Sequence, residues 1–202
     1  MQRTSLEMSN TPLEHQFAFL IEADALKSVQ RQSLIADRSR RENSAEHSWH
    51  LALFALVLGE DRPSVNTGRV ISMLLLHDLV EIDVGDTPIH SPTSRADVAE
   101  AEATAAKRIF GLLPEKEAQR FLSLWEEFER AETPDAQFAK ALDRLQPLLL
   151  NTLTAGGTWA QNNVTEDQVY SRYGPVIERG APDCWAYART LVRQHFESQQ
   201  SK

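Results

Sequence analysis

The apolar residues of this chain recur at helical spacing almost throughout, and no alternating strand pattern persists. This periodicity predicts an all-α fold of about seven or eight helices for the 202 residues. A polar, basic segment at residues 30–43 and a Pro-, Ser- and Thr-rich loop at residues 86–94 interrupt the pattern. The predicted helices cover residues 13–29, 44–58, 67–84, 95–110, 115–130, 135–155, 165–178 and 183–198.

Single residues mark where some of these helices begin, end or bend. Asn43 is placed as the N-cap of the second helix, with Glu46 at the position of the acid in a capping box. Gly85 is predicted to end the third helix. Pro147 lies inside the stretch 135–155 and predicts a kink or a break there.

Length, cysteine content and charge limit the class of protein. A chain of 202 residues has the size of one domain with a sizeable core. Its single cysteine, Cys184, excludes a fold held by intramolecular disulfides. The net charge of −8 disfavours nucleic acid or an anionic membrane as a partner. The longest apolar run, Leu51 to Leu58, is too short to span a bilayer, and we therefore expect a cytoplasmic protein.

The most informative segment, from Val70 to Gly85, places ionisable residues in an apolar helix. His77, Asp78 and Glu81 are surrounded by leucine, isoleucine and valine. Because Glu81 follows His77 by one helical turn, all three side chains project to overlapping sides of the helix. A buried carboxylate without a partner loses its hydration without compensation. The pattern therefore indicates a partner that neutralises these groups.

Two other apolar helices also carry ionisable residues. His47 precedes the run Leu51 to Leu58, and Asp143 lies between apolar residues of the stretch 135–155. Taken alone, Asp143 could form only a local ion pair with Arg144. Together with the His-Asp pair at 77–78, however, the combination predicts one divalent metal ion, since imidazole and carboxylate ligands suit Mn, Co, Ni, Fe or Zn.

Several other catalytic sites are excluded by the motifs they require. The His-Glu-x-x-His motif of zinc proteases is absent, and one cysteine cannot build a thiolate zinc site. The sequence also contains no Gly-x-x-x-x-Gly-Lys-Ser/Thr loop and no Gly-x-Ser-x-Gly elbow. Nucleoside triphosphate motors and serine hydrolases are therefore excluded.

With these residues in place, the chain resembles the HD-domain metal-dependent phosphohydrolases, whose signature is His…His-Asp…Asp on a helical core. More narrowly, it is similar to the bacterial 5′-deoxynucleotidases and their eukaryotic HD-domain-containing relatives. The resemblance lies within residues 30–145. The matching pieces are Arg-Glu-Asn-Ser-Ala-Glu-His-Ser at 41–48, His-Asp-Leu-Val-Glu-Ile-Asp-Val-Gly-Asp-Thr-Pro at 77–88 and Lys-Ala-Leu-Asp at 140–143.

This resemblance implies a fold, a reaction and a set of site residues. It implies a single HD domain over residues 1–202, with a metal-site core at 30–145 and C-terminal helices at 146–198 packed on it. It further implies a homodimer that hydrolyses nucleoside 5′-monophosphates. The implied metal ligands are His47, His77, Asp78 and Asp143, and the implied catalytic acids are Glu81 and Asp86.

The substrate-binding residues are less well matched. The deoxynucleotidases carry an Arg-Trp pair that recognises phosphate and sugar, and the counterpart here is Arg31-Gln32. The resemblance therefore implies a phosphate-binding role for Arg31 and, from the same basic segment, Arg41, while the absence of Trp leaves the deoxyribose preference open. His50 follows His47 by one helical turn and could contact substrate, support a metal ligand or be a core residue.

Two other functions remain open at the level of sequence. One is an HD phosphodiesterase or pyrophosphohydrolase that acts on a signalling nucleotide. The other is a non-catalytic binding module that a metal stabilises. Substrate separates the first of these from a nucleotidase, and retained metal without turnover would favour the second.

Overall fold

Ten α-helices make up most of the computed structural model, which describes residues 11–87 and 95–200. Eight of these helices have ten or more residues, which confirms the prediction of an all-α fold, and α4 and α8 are single turns. The loop predicted at 86–94 lies mostly outside the described residues. The helices are α1 (Pro12–Ala23), α2 (Ser44–Leu58), α3 (Thr67–Leu76), α4 (Glu81–Val84), α5 (Arg95–Phe110), α6 (Glu115–Arg130), α7 (Pro134–Leu153), α8 (Gly157–Gln161), α9 (Glu166–Gly180) and α10 (Pro182–Gln200).

A β-hairpin that the sequence analysis did not predict lies between α1 and α2. Strands β1 (Gln30–Leu34) and β2 (Arg41–Asn43) pair in antiparallel orientation, and a 3-10 helix at Asp24–Ser28 precedes them. The prediction failed because β1 is polar apart from its last residue, and its burial shows no regular alternation. The hairpin carries Arg31, a predicted substrate-binding residue, and the buried Glu42.

The segment predicted as one helix over 67–84 is divided into three. Helix α3 ends at Leu76, a 3-10 helix covers His77–Val80, and α4 continues to Val84, after which Gly85 has a positive φ of 75°. The prediction of one continuous helix was therefore wrong, although the segment is helical and, apart from Leu75, buried from Met73 to Glu81. The hydropathy pattern could not reveal the change from α-helix to 3-10 helix, because the apolar residues of this segment are buried in either type of turn.

Helix α2 begins at the residue that the sequence predicted. The side chain of Asn43 accepts a hydrogen bond from the backbone N–H of Glu46 (2.9 Å), and the Glu46 carboxylate accepts one from the backbone N–H of Asn43 (3.2 Å). This capping box satisfies two donors that a helix start leaves free. It also fixes the first turn of α2, which carries the buried residues Ser44 and His47.

Helix α7 lies at the centre of the structure and packs against α2, α3, α6, α8, α9 and α10. Eleven of its twenty residues are buried. The helix continues through Pro147, so the break considered at this residue does not occur. Proline removes one backbone hydrogen bond, and the dense packing around α7 offers a physical reason why the helix still persists.

Within residues 11–87 and 95–200, every helix is too short or too polar to cross a bilayer.

Substitution of Asn43 by Ala is expected to lower the free energy of unfolding by about 1 kcal/mol, because a donor at the start of α2 loses its acceptor. Urea unfolding in the presence of a chelator measures this change without a contribution from bound metal. Asn43→Asp keeps an acceptor at the cap and serves as the control, with stability near that of the wild type. Equal stability of the Ala variant and the wild type would contradict the capping role.

Candidate metal centre

The four side chains predicted as metal ligands converge on one buried point. They come from three elements, since His47 lies on α2, His77 and Asp78 on the second 3-10 helix, and Asp143 on α7. Nε2 of His47 is 3.1 Å from Oδ1 of Asp143. Nε2 of His77 is 2.9 Å from Oδ1 of Asp78 and 3.7 Å from Oδ1 of Asp143. None of the four residues is more than 7% exposed. We call this set the His/Asp cluster.

Hydrogen bonds at Nδ1 orient both imidazoles of the cluster. Nδ1 of His47 lies 3.1 Å from Oε1 of Gln146, and Nδ1 of His77 lies 2.8 Å from the backbone oxygen of Leu74. Since a carbonyl oxygen only accepts, Nδ1 donates in each ring, and Nε2 of a neutral ring then carries the lone pair. Nε2 of His77 is buried and makes no hydrogen bond of acceptable geometry. This donor set fits a divalent cation of borderline softness.

The electrostatics of the cluster favour a positive charge at its centre. Burial lowers the pKa of His77, but the carboxylates of Asp78 and Asp143 outweigh burial and raise it to about 10. Burial raises the pKa of Asp78, yet His77 and Arg31 bring it down to about 2. Burial raises the pKa of Asp143 as well, but Arg144 and the two imidazoles hold it well below the usual range. Both carboxylates therefore stay ionised at neutral pH and stabilise a proton or a metal ion between them.

Arg31 reaches the cluster from β1. Its Nη1 donates a hydrogen bond of 2.9 Å to Oδ2 of Asp78. The same nitrogen is 3.8 Å from Oε1 of Glu81 and 3.7 Å from Oδ1 of Asp86. The Arg31 side chain is only 11% exposed. A guanidinium thus lies beside the proposed metal ligands, where an anionic substrate could also approach it.

Glu81 and Asp86 each have a carboxylate oxygen within 3.8 Å of Nη1 of Arg31. Oε2 of Glu81 accepts a hydrogen bond of 2.5 Å from the hydroxyl of Ser44. Burial and the nearby Asp78 carboxylate raise the pKa of Glu81 to about 8. Burial likewise raises the pKa of Asp86, although Arg31 opposes this shift. Glu81 is therefore able to hold or release a proton near neutral pH.

The structure does not bring Arg41 and His50 to the cluster itself. Arg41 is exposed on β2, and its guanidinium donates to Oε1 of Gln32 across the hairpin. His50 is half-buried on α2, and its Nδ1 lies 3.3 Å from Nε2 of Gln146. It also lines an apolar cavity of about 530 Å³, together with Phe54 and others.

Three residues at the site were not identified from the sequence. They are Ser44, which holds Glu81, and the buried pair Glu42 and Gln146, which are joined by a hydrogen bond of 2.7 Å. Ser44 and Glu42 stand inside the motif at 41–48, so the motif itself was the available signal. Gln146 lies one helical turn after Asp143, which places it on the same side of α7.

Comparison with known proteins gives relatives of this chain in sequence and in fold. Residues 23–185 match the HD domain family. The chain is 32% identical to human 5′-deoxynucleotidase HDDC2 over 132 residues, and the match spans 65% of this chain and 64%, just under two thirds, of the human protein. The 5′-deoxynucleotidase yfbR of Photorhabdus temperata is 29% identical over 157 residues, which are 72% of this chain and 77% of that protein.

Solved structures show the same architecture. A predicted metal-dependent phosphohydrolase from Magnetospirillum magnetotacticum MS-1 is 50% identical, with a TM-score of 0.88 over 92% of this chain and 93% of that one. A Pyrococcus horikoshii protein at 23% identity shares the fold, with a TM-score of 0.62 over 87% of this chain and 99% of that one. Since the family match covers most of the chain, including every residue of the His/Asp cluster, this protein belongs to the HD domain family.

Proposed function

We propose that this protein is a metal-dependent phosphomonoesterase that releases phosphate from deoxynucleoside or ribonucleoside 5′-monophosphates. One divalent metal ion would be held by the His/Asp cluster. The observation that carries the proposal is the convergence of these four buried side chains from three elements, with Arg31 beside them. The names of the curated relatives support the substrate class.

The metal and Arg31 would share the recognition of the phosphate. When bound, a divalent ion supplies Lewis-acid chemistry, since it polarises a phosphoryl oxygen and makes water more acidic. Arg31 offers a fork of N–H donors for the non-bridging oxygens. Arg31 would thereby orient the substrate and stabilise charge that develops on it.

Glu81 would hold and move the proton of the reaction. Ser44 occupies its Oε2, which leaves Oε1, 3.8 Å from Nη1 of Arg31, as the atom available for proton transfer. Its raised pKa suits a group that accepts a proton from the attacking water and later gives it up. Asp86, 3.7 Å from the same nitrogen of Arg31, would support this role.

The two remaining predicted site residues have less direct roles in this proposal. Arg41, exposed on the hairpin, would meet the substrate outside the buried centre. The contact between His50 and Gln146 favours a supporting role for His50 over contact with the substrate.

The test of the proposed function is phosphate release from a panel of deoxynucleoside and ribonucleoside 5′-monophosphates. Chelated protein should be inactive, and Mn, Co, Ni, Mg or Zn added in turn should restore turnover with at least one metal. Metal at one hundred times its Kd should also raise the free energy of unfolding by about 2.7 kcal/mol. Asp143→Asn should lose both effects, because a ligand is missing.

The other outcomes discriminate between the alternatives. Turnover without a preference between the two sugars would support phosphate release from nucleoside monophosphates and contradict a specificity for deoxyribose. Metal binding without release from any monophosphate would contradict the proposal and direct attention to cyclic and pyrophosphate substrates, or to a binding module.

Glu81→Gln should lower kcat by about 100- to 10,000-fold without loss of metal, because the amide cannot accept the proton. Asp83→Asn is a matched control on the same short helix, since Asp83 is exposed and paired with Arg108 (2.6 Å). The measurement is the steady-state rate alongside the metal content of each variant. Wild-type turnover by metal-loaded Glu81→Gln would remove Glu81 from catalysis.

We also propose a cytoplasmic homodimer in which residues 1–202 form a single HD domain. Packing of α9 and α10 on α7 supports the single domain. Support for a dimer comes from large apolar side chains at the surface of α2, among them Trp49 at 61% and Val57 at 73% exposure. Light scattering after gel filtration should give twice the chain mass of 22.8 kDa, whereas a single chain mass would contradict the dimer.

A further inference from the structure

Gln146 is a fully buried amide whose oxygen contacts His47 and whose nitrogen contacts Glu42 and His50. It is 0% exposed on α7, one turn beyond Asp143. Its Oε1 lies 3.1 Å from Nδ1 of His47, and its Nε2 donates a hydrogen bond of 2.7 Å to Oε1 of Glu42. Glu42 is itself only 3% exposed. The amide thus bridges a buried carboxylate on the hairpin and an imidazole on α2.

The chemistry of the contacts with Glu42 and His47 fixes the orientation of the Gln146 amide. An ionised carboxylate only accepts, so the NH₂ group of Gln146 must face Glu42 and its oxygen must face His47. That oxygen also only accepts, so Nδ1 of His47 must carry the proton. Nε2 of His47 lies 3.1 Å from Oδ1 of Asp143 inside the His/Asp cluster. When a metal ion replaces the proton between these two atoms, Nε2 carries the lone pair that would bind it.

We propose that Glu42 and Gln146 are positioning residues, which hold His47 in the tautomer and orientation that bind a divalent cation. This inference rests on the proposed metal site and deepens it. The partners of a metal-bound histidine typically fix its ring and raise its basicity in this way. Glu42 has a further link to the site, because its Oε2 lies 3.6 Å from Nδ1 of His47 and 3.9 Å from Nε of Arg31.

A purely structural role for Gln146 would make a different prediction, and α7 offers a control. Asn151 lies on the same helix, is 2% exposed and accepts hydrogen bonds from the backbone N–H (2.7 Å) and hydroxyl (2.9 Å) of Thr158. Asn151→Ala therefore also removes a satisfied buried amide from α7 but leaves the His/Asp cluster intact. Asn151→Ala should therefore lower stability in the same way as Gln146→Met would if Gln146 had only a structural role.

The experiment is a titration of the chelated full-length protein with Co²⁺, in which the visible absorption of the bound ion reports binding. Thermal unfolding of each metal-free variant is measured alongside. Gln146→Met should weaken cobalt binding by about 10- to 100-fold and change the absorption spectrum. Asn151→Ala should bind cobalt like the wild type. Glu42→Leu should resemble Gln146→Met, whereas Glu42→Gln should lose less, because the new amide oxygen still accepts from Gln146.

The possible results separate this inference from the proposed function. If Gln146→Met and both Glu42 variants bind cobalt with wild-type affinity and spectrum, the positioning role is overturned while the metal site stands. An equal loss of affinity in Gln146→Met and Asn151→Ala also overturns it, since general destabilisation then suffices. Should Gln146→Met fail to fold, the cobalt affinities of the two Glu42 variants decide: a greater loss in Glu42→Leu than in Glu42→Gln supports the positioning role, and equal losses overturn it. Absence of cobalt binding in the wild type overturns the metal site itself.

Discussion

Crowding of carboxylates around one guanidinium governs this structure. Carboxyl oxygens of Glu42, Asp78, Glu81 and Asp86 all lie within 3.9 Å of the Arg31 side chain, and Asp143 belongs to the adjoining cluster. One positive charge cannot neutralise so many buried acids, and burial of an uncompensated charge is expensive. Additional positive charge at this place, from a proton or a cation, should therefore stabilise the folded chain. The raised pKa values of Glu81 and His77 are consistent with this effect, since each group favours a bound proton.

The sequence was sufficient to predict most of the helical framework and the residues of the His/Asp cluster. Long helices with one apolar face leave a strong periodic signal, and the cap formed by Asn43 has a local signature of only a few residues. The hairpin was missed because its strands are short and polar, so tertiary contacts rather than an alternating pattern hold it. The 3-10 turn at His77 was missed because a change of helix type does not alter which residues are apolar.

Within the site, what could be predicted depended on residue chemistry. A histidine or aspartate in an apolar helix is conspicuous, because its burial requires a partner. Gln146 is neutral, and its partners Glu42 and His47 lie about a hundred positions away along the chain. Nothing near it in the sequence indicates which groups its amide would join. The roles of Arg41 and His50 were also hard to assign, since a motif gives residue types and not the direction in which a side chain points.

Asn43 has a consequence for how this protein can be engineered. The residue ends β2 and also caps α2, so the strand that carries Glu42 and the helix that carries His47 meet at one backbone position. A substitution at this position acts on the strand and on the helix at once. Changes at position 43 should therefore couple stability to metal affinity. Thr165 forms the same kind of capping box at the start of α9, a helix that carries no residue of the His/Asp cluster, and there the two properties can be tuned separately.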